Sequence, residues 1–222
     1  TKSNSKNTLA SAFNNIGLIN WNKGDNDEAI IFYNKSLKLF EELEDQKGIG
    51  NAQNNIGLIY WEQERLEEAL YYQRKALKNY LSINHDYGIG ASYTNIARLF
   101  HDIGSMDSAY FYSYLSIKNK IKTNDNYGLA ISFNNLATIY EEDKQIDSAL
   151  KYYTKSVDKY KELGNFGRCA SSLYNLSSVY KDQYNDLSKA EEYLHEAMKY
   201  AEKSEAKSIL CKIYGNLGNL YY

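Results

Sequence analysis

Apolar residues along this chain fall three and four positions apart in stretch after stretch, as at Phe133, Leu136 and Tyr140. That spacing lays a single stripe along a helix and predicts an amphipathic α-helix wherever it recurs. The stripes come in pairs. A first helix carries an aliphatic residue, then a small one, then an aromatic three further on. A second carries an alanine followed by apolar positions at helical spacing, as in EALYYQRKAL and SALKYYTKSV. Short polar turns such as NKGDND and HDIGSMD separate the two helices of a pair. EDQKG, NHDYG, TNDNYG and LGNFG separate one pair from the next, each with a glycine that fits a helix C-cap.

The pattern has a period of 40. Asn15, Asn55, Asn95, Asn135 and Asn175 stand at that spacing, and Asn216 falls one residue late because the turn KDQYNDLSKA is one longer than EEDKQIDSA. The next residue is aliphatic (Ile16, Ile56, Ile96, Leu136, Leu176, Leu217), and the one after is small (Gly17, Gly57, Ala97, Ala137, Ser177, Gly218). The aromatic is Tyr60, Phe100, Tyr140, Tyr180 or Tyr221, with Asn20 the exception. On the second helices the marker is Ala29, Ala69, Ala109, Ala149 and Ala190. A glycine inside a helix costs about 1 kcal/mol relative to alanine, so its recurrence calls for a packing reason. The small residue and the alanine are expected to face one another and let the two backbones approach. One pair cannot bury its own apolar face, whereas stacked pairs can.

Composition agrees with nearly continuous helix. The 222 residues include no proline, so the breaks fall to Gly, Asn and Asp, and 23 are tyrosine. A formal charge of −2 and a pI near 6.0 give no basic footprint for nucleic acid. No apolar run approaches the roughly 18 residues of a membrane span, so neither nucleic-acid nor membrane contact is expected of this segment. Cys169 and Cys211 lack CxxC spacing and are expected as small buried residues. The first residue is not methionine, and the chain stops at an apolar helix, SILCKIYGNLGNLYY, with no second helix to pair it. We therefore expect a piece of a longer protein, or an end covered by a partner.

The spacing aromatic-x2-Leu-Gly-x2-Tyr, then Ala-x3-Phe-x2-Ala, resembles the signature of the tetratricopeptide repeat (TPR). Phe13, Ile16, Gly17, Ala29, Tyr33 and Ser36 carry it, as do Phe133, Leu136, Ala137, Tyr140, Ala149, Tyr153 and Ser156. Gln53, Gln73 and Ser113 depart from the aromatic positions. A period of 40 in place of the usual 34, with no closing proline, is similar to the long-repeat arrays of kinesin light chains, Pins/LGN adaptors and bacterial Rap-type peptide receptors. The resemblance implies an all-α fold, an α-α superhelix of antiparallel helix pairs. It implies one array over 1–222, with repeats near 10–43, 50–83, 90–123, 130–163 and 170–204 and the first helix of a sixth at 209–222.

In such an array the first helices line a concave surface. With Ile56, Gly57 and Tyr60 as the buried stripe, the neighbouring face carries Asn51, Asn54, Asn55, Leu58, Trp61 and Glu62. The asparagine column Asn15, Asn55, Asn95, Asn135, Asn175 runs along it, joined by Asn54 and Asn134. An asparagine amide both donates and accepts, so it can pair with the N–H and C=O of an extended peptide. In similar long-repeat TPR proteins the matching asparagine contacts peptide backbone. Alternatively, these side chains bond the neighbouring helix and set the repeat angle. Glu62, Asp102, Glu142 and Asp182 form an acidic column near helix C-termini, where the dipole disfavours them. They are candidate contacts for a basic ligand, or solvated helix ends. Trp21 and Trp61 are candidate holders of an apolar ligand side chain, or simply packing groups. Arg98 is the one basic residue near these inner positions, which argues against a carboxylate clamp for chaperone tails. On the second helices Ile31, Tyr71 and Phe111 should face outward, a candidate contact for self-association as a homodimer or for another partner.

Catalysis finds no support. His85, His101 and His195 lie in different units without HExxH spacing, and the GIG triplets at Gly48 and Gly88 read as turns lacking a dinucleotide fingerprint. No cofactor or metal is expected. The leading expectation is a non-catalytic scaffold that binds a protein or an extended peptide in its concave groove. The alternative is a sensory or regulatory segment of a larger bacterial membrane-anchored signalling protein, a histidine kinase or a DNA-binding regulator. The compartment stays open, cytoplasmic or periplasmic.

Overall fold

The computed structural model describes residues 2–220, so the aromatic expected at Tyr221 lies outside the described residues. Among the described residues the chain forms eleven α-helices and no strand. They are α1 (Lys2–Asn22), α2 (Asn26–Glu42), α3 (Gln46–Glu62), α4 (Leu66–Ser82), α5 (Asp86–Asp102), α6 (Met106–Lys122), α7 (Asn126–Glu142), α8 (Ile146–Glu162), α9 (Phe166–Tyr184), α10 (Leu187–Lys203) and α11 (Lys207–Leu220). Odd-numbered helices carry the asparagine column and even-numbered ones the marker alanine. The turns are too short for anything but antiparallel neighbours within a pair.

The turns work differently from the sequence expectation. Gly48, Gly88 and Gly128 do not end helices. They lie in the first turn of α3, α5 and α7, all buried, and each donates its N–H to the N-cap side chain three residues earlier: Asp45 Oδ1 at 3.0 Å, His85 Nδ1 at 3.0 Å and Asp125 Oδ1 at 2.8 Å. The left-handed residue that closes each preceding helix is Glu44 (φ 54°), Asn84 (φ 51°) or Asn124 (φ 55°). Among the glycines of these four turns only Gly164 (φ 63°) takes the C-cap conformation. The buried glycines are needed for space. A Cβ on Gly48 would meet the Phe40 ring, and one on Gly88 the Tyr80 ring at 2.5 Å. The ends of α2 and α4 thus pack directly over the starts of α3 and α5.

The chain divides into two compact units, Thr1–Asn119 and Lys120–Tyr222. In the first, α1 packs on α2 and α3 on α4, while α2 and α4 also pack on the first helix of the following pair. Its core runs through Ala29, Tyr33, Ile56 and Ile59, then Ala76, Tyr80, Ile89 and Ile96. A fully buried aliphatic such as Ile56 or Ile96 contributes about 1.5–3 kcal/mol relative to exposure. On α1 and α3 the small residue lets the second helix of the pair approach, as its recurrence suggested. A Cβ on Gly17 would stand 2.8 Å from the Tyr33 ring, and one on Gly57 would stand 3.0 Å from Gln73 Nε2 and 3.3 Å from the Ala69 carbonyl.

In the second unit, one cluster joins Ala137, Ala149, Tyr153, Leu173, Leu176, Leu194 and Ile213. In each core a buried serine bonds across the pair, while Tyr33 Oη, Ser92 Oγ and Ser113 Oγ are buried without a partner among the described residues. Ser36 donates to the Ala10 carbonyl at 2.8 Å, and Ser156 to the Ala130 carbonyl at 3.0 Å. Gln73, fully buried where other copies place Tyr33 or Tyr153, donates to the Asn54 carbonyl at 3.1 Å. That bond offsets the cost of burying its amide.

Cys169 is buried, and burial pushes its thiol up to about 11. Cys211, expected to be buried, is exposed. It sits on the face of α11 opposite Ile213 and Leu217, which carry that helix into the core.

Candidate functional site

In the first unit the asparagines bond one another from helix to helix. Asn55 Nδ2 donates to Asn14 Oδ1 at 3.2 Å, and Asn95 Nδ2 to Asn54 Oδ1 at 3.1 Å and Gln73 Oε1 at 3.4 Å; Asn54 Nδ2 donates to Asn55 Oδ1 at 3.3 Å. The second unit repeats the motif, with Asn175 Nδ2 donating to Asn134 Oδ1 at 3.3 Å and Ser172 adding a bond to the same oxygen at 3.1 Å. The offset is 41 each time, one more than the period. The column therefore bonds to the residue preceding its equivalent in the earlier copy.

These bonds leave valences unspent. A side-chain amide offers two donor hydrogens and two acceptor sites. Asn95 and Asn175 spend only the donor nitrogen in bonds within the protein, and Asn135 Nδ2 is buried with no partner. Asn15 is exposed on α1.

Beside the column in the first unit lies a cleft of about 410 Å3, lined by Trp21, Leu58, Trp61, Glu62 and Arg98. Its two indoles are anchored one copy onward. Trp21 Nε1 donates to Glu62 Oε2 at 2.6 Å, and Trp61 Nε1 to Asp102 Oδ2 at 2.6 Å. Here is the reason for acids at helix ends that the dipole disfavours. A charge-assisted bond to an indole N–H outweighs a dipole penalty of a few tenths of a kcal/mol, roughly. Arg98 places its guanidinium 4.3 Å from the centre of the Trp61 ring, and the loss of water there lowers its pKa, with Asp102 opposing the shift. The sequence signal was present, since both Trp–acid pairs lie 41 apart. Column by column, however, the tryptophans and the acids are separate features of the sequence.

The second unit does not repeat this arrangement. The position of Trp21 and Trp61 is Glu141 on α7 and Lys181 on α9. Glu141 accepts from Tyr153 Oη at 2.7 Å, and burial raises its pKa. Of the remaining acidic column, Glu142 is exposed and Asp182 lies 3.7 Å from Lys181. A different cleft of about 370 Å3 opens between α9 and α11, bounded by Asn165, Arg168, Ser171, Ser208 and Lys212.

On the second helices Ile31, Tyr71 and Phe111 are exposed. Tyr71 and Phe111 rest edge-on against Tyr72 and Tyr112. Those partners stack on Tyr60 and Phe100 of the first helices. Among the described residues no His, Cys, Asp and Glu group could hold a metal ion, and no helix is long and apolar enough to cross a membrane.

A family model described as tetratricopeptide repeat matches residues 8–82 and 128–203. Solved structures with a similar fold include BtubC (BKLC) from P. vanneervenii, at 18% identity over 90% of this chain and 82% of that one, TM-score 0.79. A Rap protein complexed with Competence and Sporulation Factor aligns at 17% identity over 90% of this chain and 56% of that one, TM-score 0.79. A STAND signal-transduction ATPase with a tetratricopeptide repeat sensor, from Pyrococcus horikoshii, aligns at 17% identity over 97% of this chain and 36% of that one, TM-score 0.79. At these identities the likeness is one of fold. No curated protein matches the sequence.

Proposed function

The chain belongs to the tetratricopeptide-repeat family, and we propose that it is a non-catalytic scaffold whose first-helix face binds an extended peptide segment. One observation carries this reading: in each unit amides on that face keep donor or acceptor sites after bonding one another, and in the first unit they do so beside a tryptophan-lined cleft. A ladder that served packing alone would gain nothing from a buried, unpartnered Asn135 Nδ2, which costs about 1–3 kcal/mol. The Rap structure, described as a complex with Competence and Sporulation Factor, is a fold of this kind holding a ligand.

Panning a random-peptide phage library against the protein tests the reading. Asn135→Ala removes no bond within the protein and relieves the buried amide, so its melting temperature should hold or rise while affinity for a selected peptide falls about tenfold. Unchanged affinity in Asn135→Ala and Asn95→Ala alike would remove the amides from the binding surface.

A second reading makes the array a sensory or regulatory segment of a larger bacterial membrane-anchored signalling protein. The STAND protein, in which this fold is a fraction of a longer chain and is described as a sensor, favours it. Sequencing the surrounding reading frame decides the matter. A run of about 20 apolar residues followed by kinase or helix-turn-helix motifs supports the sensor, and their absence leaves an adaptor.

A further inference from the structure

Two successive copies present the same frame with different contents. In one, Trp61 donates to Asp102 and Arg98 lies over the indole face, so a cation, a ring and a carboxylate stand together. In the copy before, Trp21 donates to Glu62 with the same length and partner chemistry, but the position 40 residues before Arg98 is Leu58. The indole and the carboxylate are in place and the cation is missing. Glu62 makes no ion pair among the described residues, and the space beside it is the cleft of about 410 Å3.

From this mismatch we infer that the cleft at Trp21 and Glu62 takes the guanidinium of an arginine side chain in the bound segment, in the place Arg98 holds one copy on. The inference rests on the scaffold reading above. Arginine fits better than lysine because its planar cation stacks on an indole while its edge still donates to a carboxylate. Trp21 spends its N–H on Glu62, which fixes the ring and leaves its face to the ligand. Charge favours a cation as well. Arg98 is drawn to Asp102, which also has His101 Nδ1 at 3.3 Å, whereas Glu62 lines the cleft with no ion pair of its own among the described residues.

The chain holds two tryptophans, so its nitrogen-resolved NMR spectrum carries two indole N–H signals, assigned with Trp61→Phe. Titration with N-acetyl-arginine amide should move the Trp21 signal to saturation. N-acetyl-citrulline amide keeps the planar donors but not the charge, and should bind about fivefold more weakly, the equivalent of one exposed ion pair. Glu62→Gln keeps an acceptor for the indole and should weaken the arginine probe about fivefold. Leu58→Arg should abolish the response by installing the chain's own cation. Equal response to both probes, a silent Trp21 signal in a folded protein, or an unaffected Leu58→Arg variant would each overturn the inference. Peptides captured through Asn135 with Trp21 silent would sink this subsite and leave the scaffold standing. A saturating Trp21 shift with no peptide captured would support the guanidinium pocket and sink the scaffold.

Discussion

Replacing Gly17 and Gly218 by alanine should move stability in opposite directions, although the two occupy the same position in their repeats. Each sits inside a helix, where alanine is favoured over glycine by about 1 kcal/mol. At Gly218 nothing lies within 4 Å of an added Cβ, so the gain should be realised in full. At Gly17 the Cβ would stand 2.8 Å from two atoms of the Tyr33 ring, well inside van der Waals contact. Tyr33 cannot readily retreat, because it is fully buried against Ala29, Ile56 and Ile59. Overpacking of this kind costs about 1–3 kcal/mol. The clash wins, leaving a net loss of about 1 kcal/mol, or about 2–4 °C in melting temperature for a chain of this size. Thermal melts followed by far-ultraviolet circular dichroism should show Gly17→Ala below the parent and Gly218→Ala level with it or above. If Gly17→Ala melted higher, close approach of the two helices would not be why glycine stands there.

Asn95→Ala removes the bonds to Asn54 and Gln73 and should cost about 1 kcal/mol in urea unfolding, whereas Asn135→Ala, which has no bond to lose and sheds an unpartnered buried amide, should be neutral or stabilising. Lys120 is buried where other copies place Phe40, Tyr80 and Tyr160; burial lowers its pKa below 10.5, and Asp125 at 3.4 Å opposes the shift. The unfolded chain then binds more protons than the folded one between the lowered value and 10.5, so stability should rise with pH across that window. Lys120→Tyr should flatten that rise and stabilise the protein at neutral pH by about 1–4 kcal/mol, as when well-packed groups replace a buried ion pair; a lower midpoint in urea would contradict this. With its thiol pushed up to about 11 and out of solvent, Cys169 should resist iodoacetamide at mildly alkaline pH while exposed Cys211 reacts, which peptide mass spectrometry separates.

Much of the architecture was legible because it is periodic along one dimension. Helix period, pair spacing and the small residues at Gly17 and Gly57 are properties of single helices or of neighbours in sequence. The family follows from them. The exposed positions of Ile31, Tyr71 and Phe111 also follow, since helical geometry puts them opposite the buried alanine.

What tertiary structure decided are the partners, because a side chain meets its neighbour through the register of one helix against another. Asn95 could reach a ligand or an adjacent helix on sequence grounds; the packing of α3 beside α5 brings it to Asn54. Glu62 and Asp102 form a separate column in the sequence, and only the packing of α1 beside α3 and of α3 beside α5 delivers each to an indole. Gly48 and Gly88 sit in polar turn sequences that suit a C-cap, yet Asp45 and His85 start the next helix three residues earlier and turn those glycines into packing positions. Sequence alone determined which helices form and how they repeat. Only the fold decided which polar groups spend their hydrogen bonds on each other, and so which remain for a ligand.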